Sequence, residues 1–98
     1  MNGQPDRAIE DLNKAISLDP TFSKAYLGRG MVYAGMCLFE LAIEEYSKAI
    51  SLAPNDAWSY YYRGIAYRRG GELGKAQFDL QKSCDLGNEL ACKDLRAR

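Results

Sequence analysis

Three cysteines, Cys37, Cys84 and Cys92, are the only strong nucleophiles in a sequence that holds no histidine. Histidine is both the commonest general base and the commonest protein metal ligand. Its absence removes Ser-His and Cys-His catalysis together with Cys/His zinc sites. The cysteines form no C-x-x-C pair, and Cys37 has no base to activate it. Glu40, Glu44 and Glu45 fall on one helical stretch with Lys48 four residues after Glu44. That spacing supports an exposed helix by about 0.3 kcal/mol and reads as a solvated face rather than an acid/base pair. Arg63, Arg68 and Arg69 form a group that would suit phosphate, but thirteen Lys plus Arg are balanced by thirteen Asp plus Glu, for a formal net charge of zero. The electrostatic footprint of a nucleic-acid binder is missing. Gly70, Gly71 and Gly74 are not followed by the Lys-Ser/Thr of a phosphate-cradling loop, and read as a flexible turn. The expectation is a non-enzyme with no catalytic residue, no metal and no cofactor.

Such residues need a scaffold, and 98 residues supply one small domain with one core. At 47% apolar and 27% charged, the composition is that of an ordinary globular chain. The longest apolar runs are far short of the roughly 18 residues that span a bilayer, and the start, MNGQPDRAIEDL, is polar where a secretory signal would be greasy. A cytoplasmic chain with no membrane partner is expected.

The sequence repeats itself at an offset of thirty-four residues. AIEDLNKAISLDP from Ala8 matches AIEEYSKAISLAP from Ala42 at nine of thirteen positions, and Pro20 falls on Pro54. Tyr26, Arg29, Gly30 and Tyr33 recur as Tyr60, Arg63, Gly64 and Tyr67. A third copy of the first block, from Ala76, keeps Ala76, Lys82 and Leu86 but has drifted elsewhere. Each unit alternates two helical patterns, apolar or small residues recurring at three- and four-residue steps with breakers between them. Glycine inside a helix costs about 1 kcal/mol relative to alanine, so its recurrence at 30 and 64 implies close approach of a neighbouring helix. Pro20 and Pro54 stop one helix ahead of the next, with Thr21 and Asn55 or Asp56 available as N-caps. Helices are expected near 5–18, 22–35, 39–52, 56–69, 73–85 and 88–97.

This pattern resembles the tetratricopeptide repeat (TPR). Tyr26, Gly30, Tyr33, Ala42, Tyr46, Ala49 and Pro54 fill the family's positions in the central unit. Tyr60, Gly64, Tyr67, Ala76 and Leu80 follow in the next, where Ser83 replaces the second alanine and Asn88 the proline. The first unit matches only as a second helix, through Ala8, Leu12, Ala15 and Pro20. The resemblance implies an all-α fold, an α-hairpin solenoid or TPR-like superhelix of about six helices. The whole chain, 1–98, is one domain: the second helix of a partial repeat at 1–22, full repeats at 23–56 and 57–90, and the end of a C-terminal capping helix at 91–98. Cys37 and Leu38 stand where the family turns with glycine and a polar residue. The tail KSCDLGNELACKDL is also similar to the cysteine-bearing variety of Sel1-like repeats. There Cys84 and Cys92, eight residues apart across a Leu-Gly-Asn break, are either bridged or buried as free thiols.

By this resemblance the chain is a protein-protein interaction scaffold, its partner a protein or peptide segment held in a concave groove of first helices. Lys24, Leu27, Met31, Trp58, Tyr61, Tyr62, Ile65, Arg68 and Arg69 are the candidate partner-binding residues. Family members that clamp a C-terminal carboxylate use Lys, Asn and Arg at positions where this chain has Leu27, Met31, Tyr61 and Ile65. An apolar, aromatic groove with a basic rim is therefore expected, unless Trp58, Tyr61 and Tyr62 stack on the neighbouring hairpin as core. A second reading is a self-associating module, a homo-oligomer formed through Ile9, Leu12 and Ile16 on a helix without its partner. A third is a regulatory or recruiting fragment of a larger enzyme such as a glycosyltransferase.

Overall fold

A computed structural model describes residues 4–97 as six α-helices: α1 (Gln4–Leu18), α2 (Ser23–Gly35), α3 (Phe39–Leu52), α4 (Ala57–Arg69), α5 (Leu73–Asp85) and α6 (Glu89–Arg96). The outermost expected unit limits, residues 1 and 98, lie outside the described residues. The pairs α2–α3 and α4–α5 form hairpins, α1 packs on α2, α3 on α4 and α5 on α6, and α2 also touches α4. The molecule measures 38 × 29 × 18 Å, its thinnest dimension being that of two helix layers. No helix among the described residues is long and apolar enough to cross a membrane.

Two kinds of stop punctuate the chain. After α1 and α3 the last amide still bonds back into the helix, Asp19 to the Ala15 carbonyl and Ala53 to that of Ala49, before Pro20 and Pro54 forbid another turn. The α2, α4 and α5 helices end instead in one shared motif. The Leu38, Glu72 and Asn88 amides donate to the Tyr33, Tyr67 and Ser83 carbonyls, at 2.9, 2.8 and 3.1 Å. The residue before each of these amides is left-handed: Cys37 (φ 62°), Gly71 (φ 89°) and Gly87 (φ 105°). Only Cys37 carries a Cβ into that conformation, at a cost of about 1–2 kcal/mol. Cys37→Gly is therefore expected to stabilise the chain by about 0.5–1 kcal/mol after the extra chain entropy of glycine, read as a higher urea midpoint at unchanged slope.

The caps differ in part from expectation. Asp56 caps α4, accepting from the Trp58 amide at 3.1 Å, and Asn88 caps α6 in the same way at 3.0 Å. Thr21 does not cap α2: its amide and hydroxyl both donate to Asp19, which holds that carboxyl below the usual carboxylate range, and Phe22 takes the cap position without a side-chain bond.

The core lies between the layers. Ala42, Tyr46 and Ala49 of α3 are at most 1% exposed, as are Leu80, Asp79 and Ser83 of α5. A Cβ on Gly30 would sit 2.5 Å from the Tyr46 ring, and one on Gly64 3.0 Å from Leu80 Cγ, so the glycines exist to let α2 and α4 close on their hairpin partners. Ser83, in the second-alanine position, donates its buried hydroxyl to the Ala57 carbonyl at 2.7 Å and so leaves no unpaired polar group. Burial pushes the Tyr46 phenol from 10.0 up to about 12, with Tyr62 opposing a second negative charge. Because the folded value lies above the unfolded one, this stabilisation is complete below pH 10 and is lost as pH rises through about 12. The urea midpoint should accordingly fall over that interval, and fall less steeply in Tyr46→Phe.

Cys84 in the last turn of α5 and Cys92 in α6 have Cα atoms 4.8 Å apart, with their sulfurs at bonding distance across the Leu86-Gly87-Asn88 turn. Cys37 is free and exposed. One titratable thiol is expected in the denatured, unreduced chain and three after reduction; three before reduction would show the pair unbridged.

Candidate functional site

Helical periodicity gives α4 three faces. Tyr60, Gly64 and Tyr67 turn to α5, its hairpin partner. Tyr62 and Arg69 lean on the preceding hairpin, and Trp58 stands beside them on the same side of α4. Tyr61, Ile65 and Arg68 occupy the outward face between them. On α2 the outward residues in the same register are Leu27, Met31 and Ala34.

The apolar residues of the outward stripe are partly buried, except Met31. Met31 is 43% exposed, while Leu27 and Ala34 are partly buried against the Ala42, Tyr46 and Ala66 core. Across from them, Tyr61 and Ile65 are partly buried on α4. Lys24 is exposed at the start of α2. The candidate residues do not all share this surface. Tyr62 stacks on Tyr46 of α3 with ring centroids 6.1 Å apart, making it part of the seam between hairpins. Trp58 stacks on Tyr62 at 5.9 Å and meets Tyr61 edge-on at 5.7 Å, yet stays 44% exposed. Trp58 is thus both a prop for the seam and a wall of a surface hollow of about 510 Å³ reaching Leu86–Leu90 at the start of α6.

The basic residues are engaged. Arg68 makes a two-pronged ion pair with Asp94 of α6, at 2.7 and 3.1 Å, and the hydrogen bonding to Asp94 raises the guanidinium above its ordinary value. Arg69 lies over the Phe39 ring, 5.2 Å from its centroid, on the α3 side. Lys24, like Arg69, is exposed. Asp94 was not among the sequence candidates. It belongs to α6, which is separated from α5 by a turn of three residues rather than the four between α3 and α4, so the thirty-four-residue register that located the other residues does not reach it.

The seam itself is polar and repeated. Arg29 donates to Glu45 and to Asn13, both at 2.8 Å. Arg63 grips Asp79 with two bonds of 2.7 and 2.9 Å and reaches Ser47 at 3.1 Å. Each arginine thus ties its own hairpin partner to the second helix of the preceding unit. Asp79 is 1% exposed, and its hydrogen bonds raise the Arg63 guanidinium above its ordinary value. The expected self-association trio, Ile9, Leu12 and Ile16, is half-buried along α1.

Comparison with known proteins gives the same geometry. A family model described as TPR repeat matches residues 39–71, and one described as Tetratricopeptide repeat matches residues 2–22. The crystal structure of MamA superposes with a TM-score of 0.81 at 33% identity, over 87% of this chain and 50% of that one. This chain therefore spans about half the length of MamA. The first TPR of Spaghetti (RPAP3), solved bound to the HSP90 peptide SRMEEVD, superposes at 0.89 with 26% identity, over 97% of this chain and 77% of that one. YrrB, described as a TPR protein with an unusual peptide-binding site, shares the fold at 0.86 with 24% identity, over 95% of this chain and 49% of that one. No curated protein sequence matches the chain.

Proposed function

Because the chain belongs to the tetratricopeptide repeat family, we propose that it is a non-enzymatic scaffold that holds a short apolar segment of a partner protein along the outward faces of α2 and α4. The observation that carries this reading is the stripe of Leu27, Met31, Tyr61 and Ile65, apolar on two adjacent first helices, with Met31 exposed and the other three partly buried. Tyrosine and methionine are enriched in interface cores, where tyrosine buries a large area for few torsions fixed. The first TPR of Spaghetti, 26% identical, supports a peptide as the kind of partner. It does not transfer the peptide. Anchoring a terminal carboxylate takes Lys, Asn and Arg donors, and here the stripe offers none, while Arg68 is already bound to Asp94.

Panning a displayed peptide library on the chain tests this. Sequences with two apolar anchors are expected to enrich. SRMEEVD is expected to bind about tenfold more weakly than they do, the scale of one lost anchor. Met31→Asp or Ile65→Asp should weaken the selected peptides by at least about tenfold with the melting temperature little changed. No enrichment, or selected peptides that bind Ile65→Asp as well as the parent chain, would refute the reading.

A further inference from the structure

The α4 and α6 helices are successive first helices, and their caps differ in the fate of one atom. Asp56 caps α4 with both carboxylate oxygens: Oδ1 accepts from the Trp58 amide and Oδ2 from the Ser59 hydroxyl, each at 3.1 Å. Asn88 caps α6 through Oδ1, which accepts from the Leu90 amide at 3.0 Å. The residue in the place of Ser59, three after the cap, is Ala91, which offers the second atom nothing. That atom is a donor, Nδ2, and it has no hydrogen-bond partner although Asn88 is only 7% exposed. A buried donor left unpaired is costly, and rare in a folded chain.

Asn88 lines the hollow of about 510 Å³ between the first turns of α4 and α6. The walls are apolar: Trp58 and Leu90, 44 and 50% exposed, and the partly buried Leu86. Gly87 has no side chain to fill the space, and the Cys84–Cys92 bridge ties together the two sides of the turn that edges it. The N-terminal ends of two helices open on this space, and their partial positive charge favours a hydrogen-bond acceptor there. Exposed Glu89 stands on the rim, so a carboxylate would meet like charge where a neutral carbonyl would not. The hollow adjoins the α2–α4 stripe, because Trp58 meets Tyr61 edge-on at 5.7 Å.

We propose that this hollow is a second anchor site for the partner segment. It takes one large apolar side chain between Trp58 and Leu90, while a main-chain carbonyl of the same segment accepts from Asn88 Nδ2. This rests on the peptide-holding reading of the stripe and extends it past Tyr61 to the α5–α6 turn. The occupant is an uncharged internal stretch of backbone carrying an aliphatic or aromatic residue, not a chain terminus.

The test reads the hollow apart from the stripe. The ¹⁵N-labelled chain is titrated with N-acetyl-leucine methylamide, which carries one apolar side chain and two neutral carbonyls. Saturable shifts are expected at the Asn88 carboxamide and the Trp58 indole N–H, with the Met31 and Ile65 amides unmoved. N-acetyl-leucine, whose carboxylate meets Glu89, should bind about twofold more weakly. Asn88→Asp removes the donor but keeps a cap of the kind Asp56 makes, and should weaken the methylamide about fivefold. Leu90→Ala, at an exposed wall, should weaken it by about the same factor. Circular dichroism would check that both variants melt like the parent. No shift at Asn88, or binding indifferent to Asn88→Asp, overturns the proposal and leaves Nδ2 to water; tighter binding of the carboxylate probe overturns it in favour of a chain terminus. A library-selected peptide that shifts the stripe and leaves Asn88 silent also overturns it, with the stripe reading intact. No selected peptide at all, with the methylamide still bound at Asn88, would instead refute the stripe reading.

Discussion

Replacing Asp79 with alanine is expected to cost about 3 kcal/mol of unfolding free energy, which for a chain of this size lowers the melting temperature by about 15 °C. The carboxylate is 1% exposed, lies at the α4–α5 contact and takes two bonds from Arg63. Removing it leaves a guanidinium whose side chain is only 19% exposed facing a void, with the Ser47 hydroxyl and the Tyr60 and Tyr67 rings as its remaining neighbours. The expense lies in the orphaned charge more than in the lost pair, since the attraction of a buried ion pair is largely offset by its desolvation. Two controls separate these terms. Arg63→Met with Asp79→Leu should recover most of the loss, and Glu45→Ala should cost less, because Glu45 and Arg29 retain 15% and 20% side-chain exposure and share a single bond. Urea unfolding of the four chains decides it. If Asp79→Ala costs no more than Glu45→Ala, the seam is not held as described.

Three glycines on α2 should respond to alanine in three ways. At Gly30 the new Cβ would lie 2.5 and 2.7 Å from the Tyr46 ring and 3.2 Å from the Ala42 carbonyl. The ring cannot yield, because it is 1% exposed and backed by Tyr62, which is backed in turn by Trp58. Overpacking of this kind costs about 1–3 kcal/mol; after a helix-propensity gain of about 1, Gly30→Ala is expected to lose up to about 2 kcal/mol. At Gly28 the neighbour is Leu12 Cδ2 at 3.2 Å, the end of a flexible side chain on the half-open α1, so alanine should be near neutral. At Gly35 nothing lies within 4 Å, and alanine should stabilise by a few tenths, about 0.5 kcal/mol. Parallel thermal melts would show the order Gly35→Ala, Gly28→Ala, Gly30→Ala from most to least stable. Equal melting temperatures would mean that the α2–α3 approach is looser than described.

The helices were legible because the repeat read the same signals twice: Pro20 with Pro54, Gly30 with Gly64, and the Ala8 block with the Ala42 block. The α3 and α5 limits coincide with those expected, and the others shift by a residue at one or both ends. Tyr62 resisted assignment because one helix turn separates a ring that faces solvent from one that faces Tyr46, and sequence spacing alone does not say which neighbour is nearer. Thr21 failed as a cap because Asp19, two residues before it, competes for its donors. The pairing of Arg68, a residue of the expected basic rim, with Asp94 was not legible, since Asp94 stands on α6, where the turn is one residue shorter and the register is lost. The recurrence of Arg29 as Arg63 was visible in the repeat, but the pairing of Arg63 with Asp79 and Ser47 needed the packed helices.

The central claim, a peptide groove on the outward faces of α2 and α4, is tested most directly by amide chemical-shift mapping of the ¹⁵N-labelled chain against a library-selected peptide. Shifts concentrated at Lys24–Ala34 and Trp58–Arg68, and lost in Ile65→Asp, are predicted. Shifts centred on the outer faces of α3 and α5, with the α2–α4 stripe silent, would contradict it.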